Sequence, residues 1–394
     1  MEFKMNLPPA VELIISRLNQ HGYAAYVVGG SVRDSLIGRE LGDFDITTSA
    51  LPERTKELFP EYKTIDTGIR HGTVTLVIDK VPYEVTTYRI DGDYRDNRHP
   101  DSVTFTDDLR EDLKRRDFTV NAMCYNSTEG LVDMFSGRED AEGRIIRAVG
   151  DPALRFEEDA LRILRALRFS SVLDFDVEEE TANAARDKKH LLSGVSSERI
   201  YTEIKKLILG KRPSTVLLEY SDIFSVALGG ISISKMPTDE RMALADYPTR
   251  LASVFLLNSP TPIEDAERVL ALLKTDKRIR ADVAAALTGY FECDFSSRRS
   301  VLVAMAKNGK GATDGALSLG TLTGRFEKSE SDLYEELILD NPVWQISQLA
   351  IGGAEVKSAG YSGEEIGRVL SELLYSVING ECENTRESLL DRLK

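Results

Sequence analysis

Residues 25–45 read AYVVGGSVRDSLIGRELGDFD, and their pattern sets the architecture of the N-terminal third of the chain. Ala25, Tyr26, Val27 and Val28 form a short β-type run that ends in Gly29-Gly30. Residues 31–36 have a helical pattern, and 44–46 (FDI) open a second strand. A strand that ends in two glycines and feeds a helix lets backbone N–H groups come close to a phosphate, helped by the field at the helix start. In an extended strand, residues i and i+2 point the same way, so Asp43 and Asp45 are expected to project together with Phe44 packed behind them. Two carboxylates on one face repel unless a divalent cation lies between them, and oxygen ligands suit Mg²⁺. Each half alone fits a surface turn; together they favour phosphoryl-transfer chemistry at a metal site.

Outward from this stretch, residues 8–20 space apolar groups at helical intervals, and TVTLVI (73–78) and VPYEVTTY (81–88) flank an Asp-Lys turn as a hairpin. Glu84 in that hairpin is a candidate third carboxylate, provided the hairpin strand pairs beside the aspartates. Residues 120–124 and 131–133 complete a small mixed sheet. Beyond about residue 151 strand signals thin out. Ala160, Ile163, Leu164 and Leu167 mark one apolar helix face, and 198–209 is a helix with Gly210 as its C-cap. Residues 263–275 and 363–378 are amphipathic helices, while the Gly-rich 307–324 reads as a loop. The expected class is α+β: a head with a small mixed sheet, then an all-helical remainder.

The 394 residues carry 50 Lys+Arg and 65 Asp+Glu, a formal charge of −15, which argues against a non-specific nucleic-acid coater but leaves room for a local basic track. No apolar run reaches the length of a membrane span, and no secretory signal is expected in MEFKMNLPPAVELIISRLNQHG. Three scattered cysteines exclude a disulfide framework and a four-Cys zinc site, so a cytoplasmic location is expected. Asn308-Gly309-Lys310-Gly311 lacks phosphate-loop spacing, and the four histidines are dispersed.

Two further clusters bear chemistry. In KRRDFTVNA (114–122), basic residues beside Asp117 could hold a triphosphate and a ribose hydroxyl; spacing alone fits a salt-bridged turn better. In RFEEDALRILRALRF (155–169), Asp159 and Arg162 are i, i+3 neighbours if the segment is one helix. Such a pair is ordinarily a surface ion pair. It can also read a base, with the carboxylate accepting from an exocyclic amine and the guanidinium donating to a ring nitrogen. Cytosine and adenine share that pattern, whereas uracil and guanine would leave buried groups unpaired.

In order, GGSVRD, GDFD, RRDFTVNA and RFEEDALRILRALRF resemble the class II tRNA nucleotidyltransferase and bacterial poly(A) polymerase superfamily. DTGIRHGT (66–73) resembles its CCA-adding branch. Arg199-Ile200 with Glu203 and Lys206 resembles the neck motif, and residues 363–370, Asn384 and Leu389-Leu390 the tail of the shorter bacterial type. The resemblance implies a head over 1–150, a neck over 151–212, and a tRNA-binding body and tail over 213–310 and 311–394. It implies that Asp43 and Asp45 hold Mg²⁺, and that Gly29, Gly30 and Arg33 contact the nucleotide. Arg116, Asp117 and Asn121 would engage triphosphate and ribose. Asp159 and Arg162 would select CTP or ATP, supported by Arg165 and Arg168. Residues 94–105 (YRDNRHPDSVTF) resemble the flexible loop that CC-only enzymes lack. The implied activity is addition of C, C and A to tRNA 3′ ends, with A-only addition or poly(A) synthesis as the alternative. The implied partners are tRNA, CTP and ATP, with no membrane and no obligate protein partner.

Overall fold

The computed structural model describes residues 3–92 and 102–394, so most of the loop at 94–105 lies outside the described residues. The chain divides into two compact units, Met1–Arg212 and Pro213–Lys394.

The first unit is built on a seven-stranded mixed sheet. Its strands are β1 (Ala25–Val28), β2 (Asp45–Thr48), β3 (Lys63–Ile65), β4 (Thr73–Ile78), β5 (Val81–Thr87), β8 (Met123–Asn126) and β9 (Gly130–Asp133), in the order β3-β4-β5-β2-β1-β8-β9. β6 (Arg89–Asp91) and β7 (Val103–Phe105) pair separately, and β10 (Ile145–Ile146) pairs in parallel with β11 (Asp176–Val177). β11 is thus a two-residue strand in a region whose sequence reads as wholly helical. The β4–β5 hairpin turns on Asp79 and Lys80, with φ of 51° and 67°. Two left-handed residues give the turn whose twist matches paired strands.

β1 is buried on both faces, and its alternation sorts the core. Ala25 and Val27 join the helix Pro9–Gln20 residues Val11, Ile14, Ile15 and Leu18 in one cluster with Ile46, Val74, Leu76 and Val85. Tyr26 and Val28 face the other way, against Tyr88, Leu113 and Cys124. Antiparallel pairing sets Val28 opposite Asp45, and parallel pairing sets Asp45 opposite Glu84. The end of β1, the start of β2 and Glu84 therefore lie side by side on the three central strands, which is the pairing that Glu84 required to join the aspartates.

Two helices, Leu161–Leu173 and Ser197–Ile208, pack together in the same unit. Gly210 is not a left-handed cap: a Cβ there would lie 2.2 Å from Ser171 Oγ, so its small size permits close packing. In the second unit the Gly-rich segment is a 14-residue helix, Lys310–Thr323, rather than a loop. A Cβ on Gly315 would come 3.1 Å from that of Ala286, and one on Gly289 would come 2.8 Å from that of Ala316. Those glycines let the helix lie directly on Lys277–Glu292. The composition that reads as a breaker serves close helix contact, and the apolar burial gained offsets the glycine penalty.

Candidate active site

At the end of β1 the chain reverses through Gly29, whose φ of 81° suits glycine alone among the common residues. Its N–H donates to Met123 O at 3.1 Å, which ties the turn to β8. A Cβ on Gly29 would sit 3.4 Å from Arg116 Nη1, so the guanidinium lies directly over the turn. Asp45 opens β2 and Asp43 lies two residues before it, outside the strand, so strand alternation covers only the second aspartate. The two still interact. Asp45 is open to water but crowded by surrounding protein, and that crowding, with Asp43 adding to it and Arg116 opposing it, raises its pKa above the usual carboxylate value. A group with that disposition gains from a cation beside it. Among the described residues no three His, Cys, Asp or Glu side chains form a ready metal cluster. Two carboxylates nevertheless fit Mg²⁺, which keeps waters and takes its other oxygens from substrate phosphates.

Behind this site runs a buried polar chain. Arg33 Nη1 donates to Asn121 Oδ1 at 2.5 Å, and Asn121 Nδ2 donates to Asp117 Oδ1 at 3.1 Å. Asp117 Oδ2 accepts from Arg165 Nε at 2.8 Å and from its Nη2. Burial pushes the Asp117 carboxyl up, but the Arg165 guanidinium and the Asn121 amide more than reverse it and hold it well below the usual range. Arg33, Arg165 and Arg168 all approach the Phe169 ring, Arg168 with its guanidinium carbon 3.5 Å from the centroid. Arg168 Nε also donates to buried Glu203 at 2.8 Å.

The Asp159–Arg162 geometry differs from a single helix. The helix Pro152–Glu158 ends at Asp159, whose φ of −142° and ψ of 100° break the chain before the next helix starts at Leu161. Asp159 Oδ1 accepts from Leu161 N at 3.1 Å, and Oδ2 from Arg199 Nη2 at 2.8 Å. Arg162 Nη1 donates to Glu158 Oε2 at 2.6 Å and Nη2 to Arg115 O at 3.0 Å. The two side chains are therefore held separately, each by its own partner, instead of pairing across one helix turn. A short polar side chain that captures the next N–H favours a helix start over helix interior, which is why the segment breaks there.

The structure thus brings the Gly29-Gly30 turn, Asp43, Asp45, Glu84 and Arg116 together on the central strands, with Arg33, Asn121 and Asp117 in the buried chain behind them. Arg165 and Arg168 join them from the helix Leu161–Leu173. The sequence reading missed Asp112, Glu158 as a partner, and the Arg199 contact. Asp112 stands three and four residues before Arg115 and Arg116, a helical spacing that could have revealed it.

Residues 25–147 match the poly A polymerase head domain, 174–226 the probable RNA and SrmB-binding site of polymerase A, and 249–393 the putative tRNA nucleotidyltransferase domain 2. The chain is 35% identical to a CCA-adding enzyme of Pediococcus pentosaceus, covering 96% of this chain and 95% of that one. It is also 35% identical to one of Enterococcus faecalis, over 100% and 96% of the two chains. Its fold is similar to the crystal structure of the Bacillus stearothermophilus CCA-adding enzyme in complex with CTP. The TM-score is 0.76 at 33% identity, with 98% of this chain and 97% of that one covered.

Proposed function

The chain belongs to the family of CCA-adding enzymes, and from that premise we propose that it adds C, C and A, drawn from CTP and ATP, to the 3′ end of tRNA. The terminal 3′-hydroxyl oxygen attacks the α-phosphorus, the bond to the β-phosphate oxygen breaks, and pyrophosphate leaves with the hydroxyl proton passing to solvent. The observation that carries the site assignment is the pairing of the three central strands. β1, β2 and β5 bring the Gly29 turn, Asp45 and Glu84 side by side, with Arg116 over the turn.

Asp43 and Asp45 would hold Mg²⁺, with Glu84 as the third carboxylate of the reaction centre. Bound there, the ion would lower the hydroxyl's pKa and neutralise charge developing on the phosphates. Gly29, Gly30, Arg33 and Arg116 bind the triphosphate, and Asp117 and Asn121 face the ribose. The depressed pKa of Asp117 keeps it an ionised acceptor at neutral pH. Asp159 accepts from the exocyclic amine of C or A, and Arg162 donates to the ring nitrogen. Arg165 and Arg168 hold the pocket behind them. Arg199 and Glu158 bond these two groups, so a nucleotide competes with or shares those contacts. UTP and GTP present a carbonyl and a ring N–H instead, which leaves the pair unsatisfied. Within the first unit we assign the head to 1–150 and the neck to 151–212; a body at 213–310 and a tail at 311–394 bind tRNA. The protein acts in the cytoplasm, where tRNA is matured.

The test is extension of a tRNA transcript lacking its last three nucleotides, read at single-nucleotide resolution in Mg²⁺. Two residues added with CTP alone and three with CTP plus ATP support the reading. No addition of C to that transcript, with one A added to a transcript ending in CC, moves the protein to A-only addition.

A further inference from the structure

Asp112 lies in the helix Leu109–Lys114 and is fully buried, away from the Gly29 turn and Asp45 where substrate would sit. Its contacts lead there from two sides. Oδ2 accepts from Thr47 Oγ1 at 3.0 Å and from Arg116 Nη2 at 3.4 Å, while Oδ1 accepts from Arg115 Nε at 3.1 Å and Nη2 at 2.7 Å. Thr47 is two residues beyond Asp45 on β2, so both side chains stand on the same face of the sheet. That face is the one that packs Tyr26, Val28 and Leu113. Arg116 carries its other nitrogen over the Gly29 turn, and its Nε is buried with no partner. The Arg115 carbonyl accepts from Arg162 at 3.0 Å. One carboxylate thereby fixes the strand that bears Asp45, the arginine over the glycine turn and, through the Arg115 segment, the arginine set to read the base.

We propose that Asp112 is a positioning residue for nucleotidyl transfer, holding Arg116 and the Asp45 strand in one fixed relation so that the α-phosphate and the aspartates meet. A carboxylate can accept four hydrogen bonds and donates none, which matches the four donors that converge here. An amide at this position must turn its NH₂ toward one side and face either Arg115 or Arg116 with a donor. A purely structural anchor would affect folding stability alone, whereas a positioning role moves kcat, because a small misplacement of reacting groups is costly in rate. The assignment rests on the nucleotidyltransferase reading given above.

The experiment compares the wild-type chain with Thr47→Val, Thr47→Ser and Asp112→Asn by single-nucleotide extension of tRNA, CTP titration and thermal melting. Thr47→Val loses only the hydroxyl bond to Asp112. It is expected to lower kcat roughly tenfold with CTP KM changed by less than about twofold, and Thr47→Ser to restore the rate. Asp112→Asn is expected to weaken CTP binding roughly tenfold as well, because Arg116 is released. Wild-type kcat and KM in Thr47→Val, or a fall in melting temperature with unchanged kinetics, would overturn the proposal. If Asp112→Asn does not fold, the two Thr47 variants decide it. A wild-type chain that adds no nucleotide defeats the activity reading instead; weakened CTP binding by Asp112→Asn then still reads the positioning role.

Discussion

The two units of this chain handle charge in opposite ways. In Met1–Arg212 the buried side chains include Arg33, Asp112, Asp117, Asp140, Arg162 and Glu203. In Pro213–Lys394, Arg250 is the one charged side chain among the described residues in that class, and the hydrophobic core runs from Ala286 and Ala316 up to Phe295, Tyr334 and Leu337. Removing an ion from water is expensive, and a buried ion pair is poor evidence of stability. In the first unit each of the six is met by hydrogen bonds from or to other side chains. The second unit has no such demand and is free to pack helices as closely as side-chain size permits. Buried charge is thus concentrated in the unit that holds the candidate site, and Gly289 and Gly315, at a helix contact, lie in the other.

Three substitutions sharpen that contrast or break it. The largest effect is expected from Asp45→Ala, which removes a carboxylate from the candidate site without opening a cavity. It should cost at least about a thousandfold in addition of either nucleotide and leave the melting of the first unit unchanged. A variant that kept activity would take the reaction away from these strands. Next comes Gly289→Val in the second unit. Its added carbons collide with Ala316 Cβ and the Ala312 carbonyl, so overpacking should cost about 1–3 kcal/mol of that unit's stability. Calorimetry would detect this while CTP binding stays at the wild-type level. An unchanged transition would mean that the glycines serve flexibility after all.

The smallest effect is expected from Asp117→Asn. Arg165 loses its counter-charge but keeps about a third of its side chain in water, so the cost is about 1–2 kcal/mol. The acid response distinguishes this loss from simple misfolding. The native Asp117 carboxyl is held below its unfolded value, so its contribution is fully present above the ordinary Asp pKa of about 3.9 and is lost as pH falls through the native pKa. The wild-type protein should therefore lose this contribution only below about pH 4, and Asp117→Asn should show a shallower acid slope in a melting series. An identical slope in both would mean that the pair contributes no charge-dependent stability.

Much of the local structure around the candidate site is legible in the residues. The β1 run, the hairpin with its Asp-Lys turn and the Gly-Gly reversal are local patterns, and each forms within a few residues of itself. Glu84 was legible only as a conditional, because its relevance depended on which strand would lie beside β2. The break at Asp159 was misread for a local reason: the apolar spacing continues through it, while the side chain's capture of Leu161 N interrupts the backbone. The helix at Lys310–Thr323 was misread for a tertiary reason, since nothing in its own sequence says that another helix will lie against its glycines.

By itself, then, the sequence determined the order of the motifs, the mixed-sheet head, the helical remainder and the pair of aspartates that point to phosphoryl transfer. Hydrophobic period and turn chemistry act between near neighbours and survive as pattern. Only the tertiary structure decided which long-range partners hold the candidate site: Thr47 meeting Asp112 across 65 residues, Arg199 meeting Asp159 across 40 and Arg33 meeting Asn121 across 88. Those bonds have no signature in spacing, because their partners come together only when the sheet order and the packing of its helices bring distant segments to the same place.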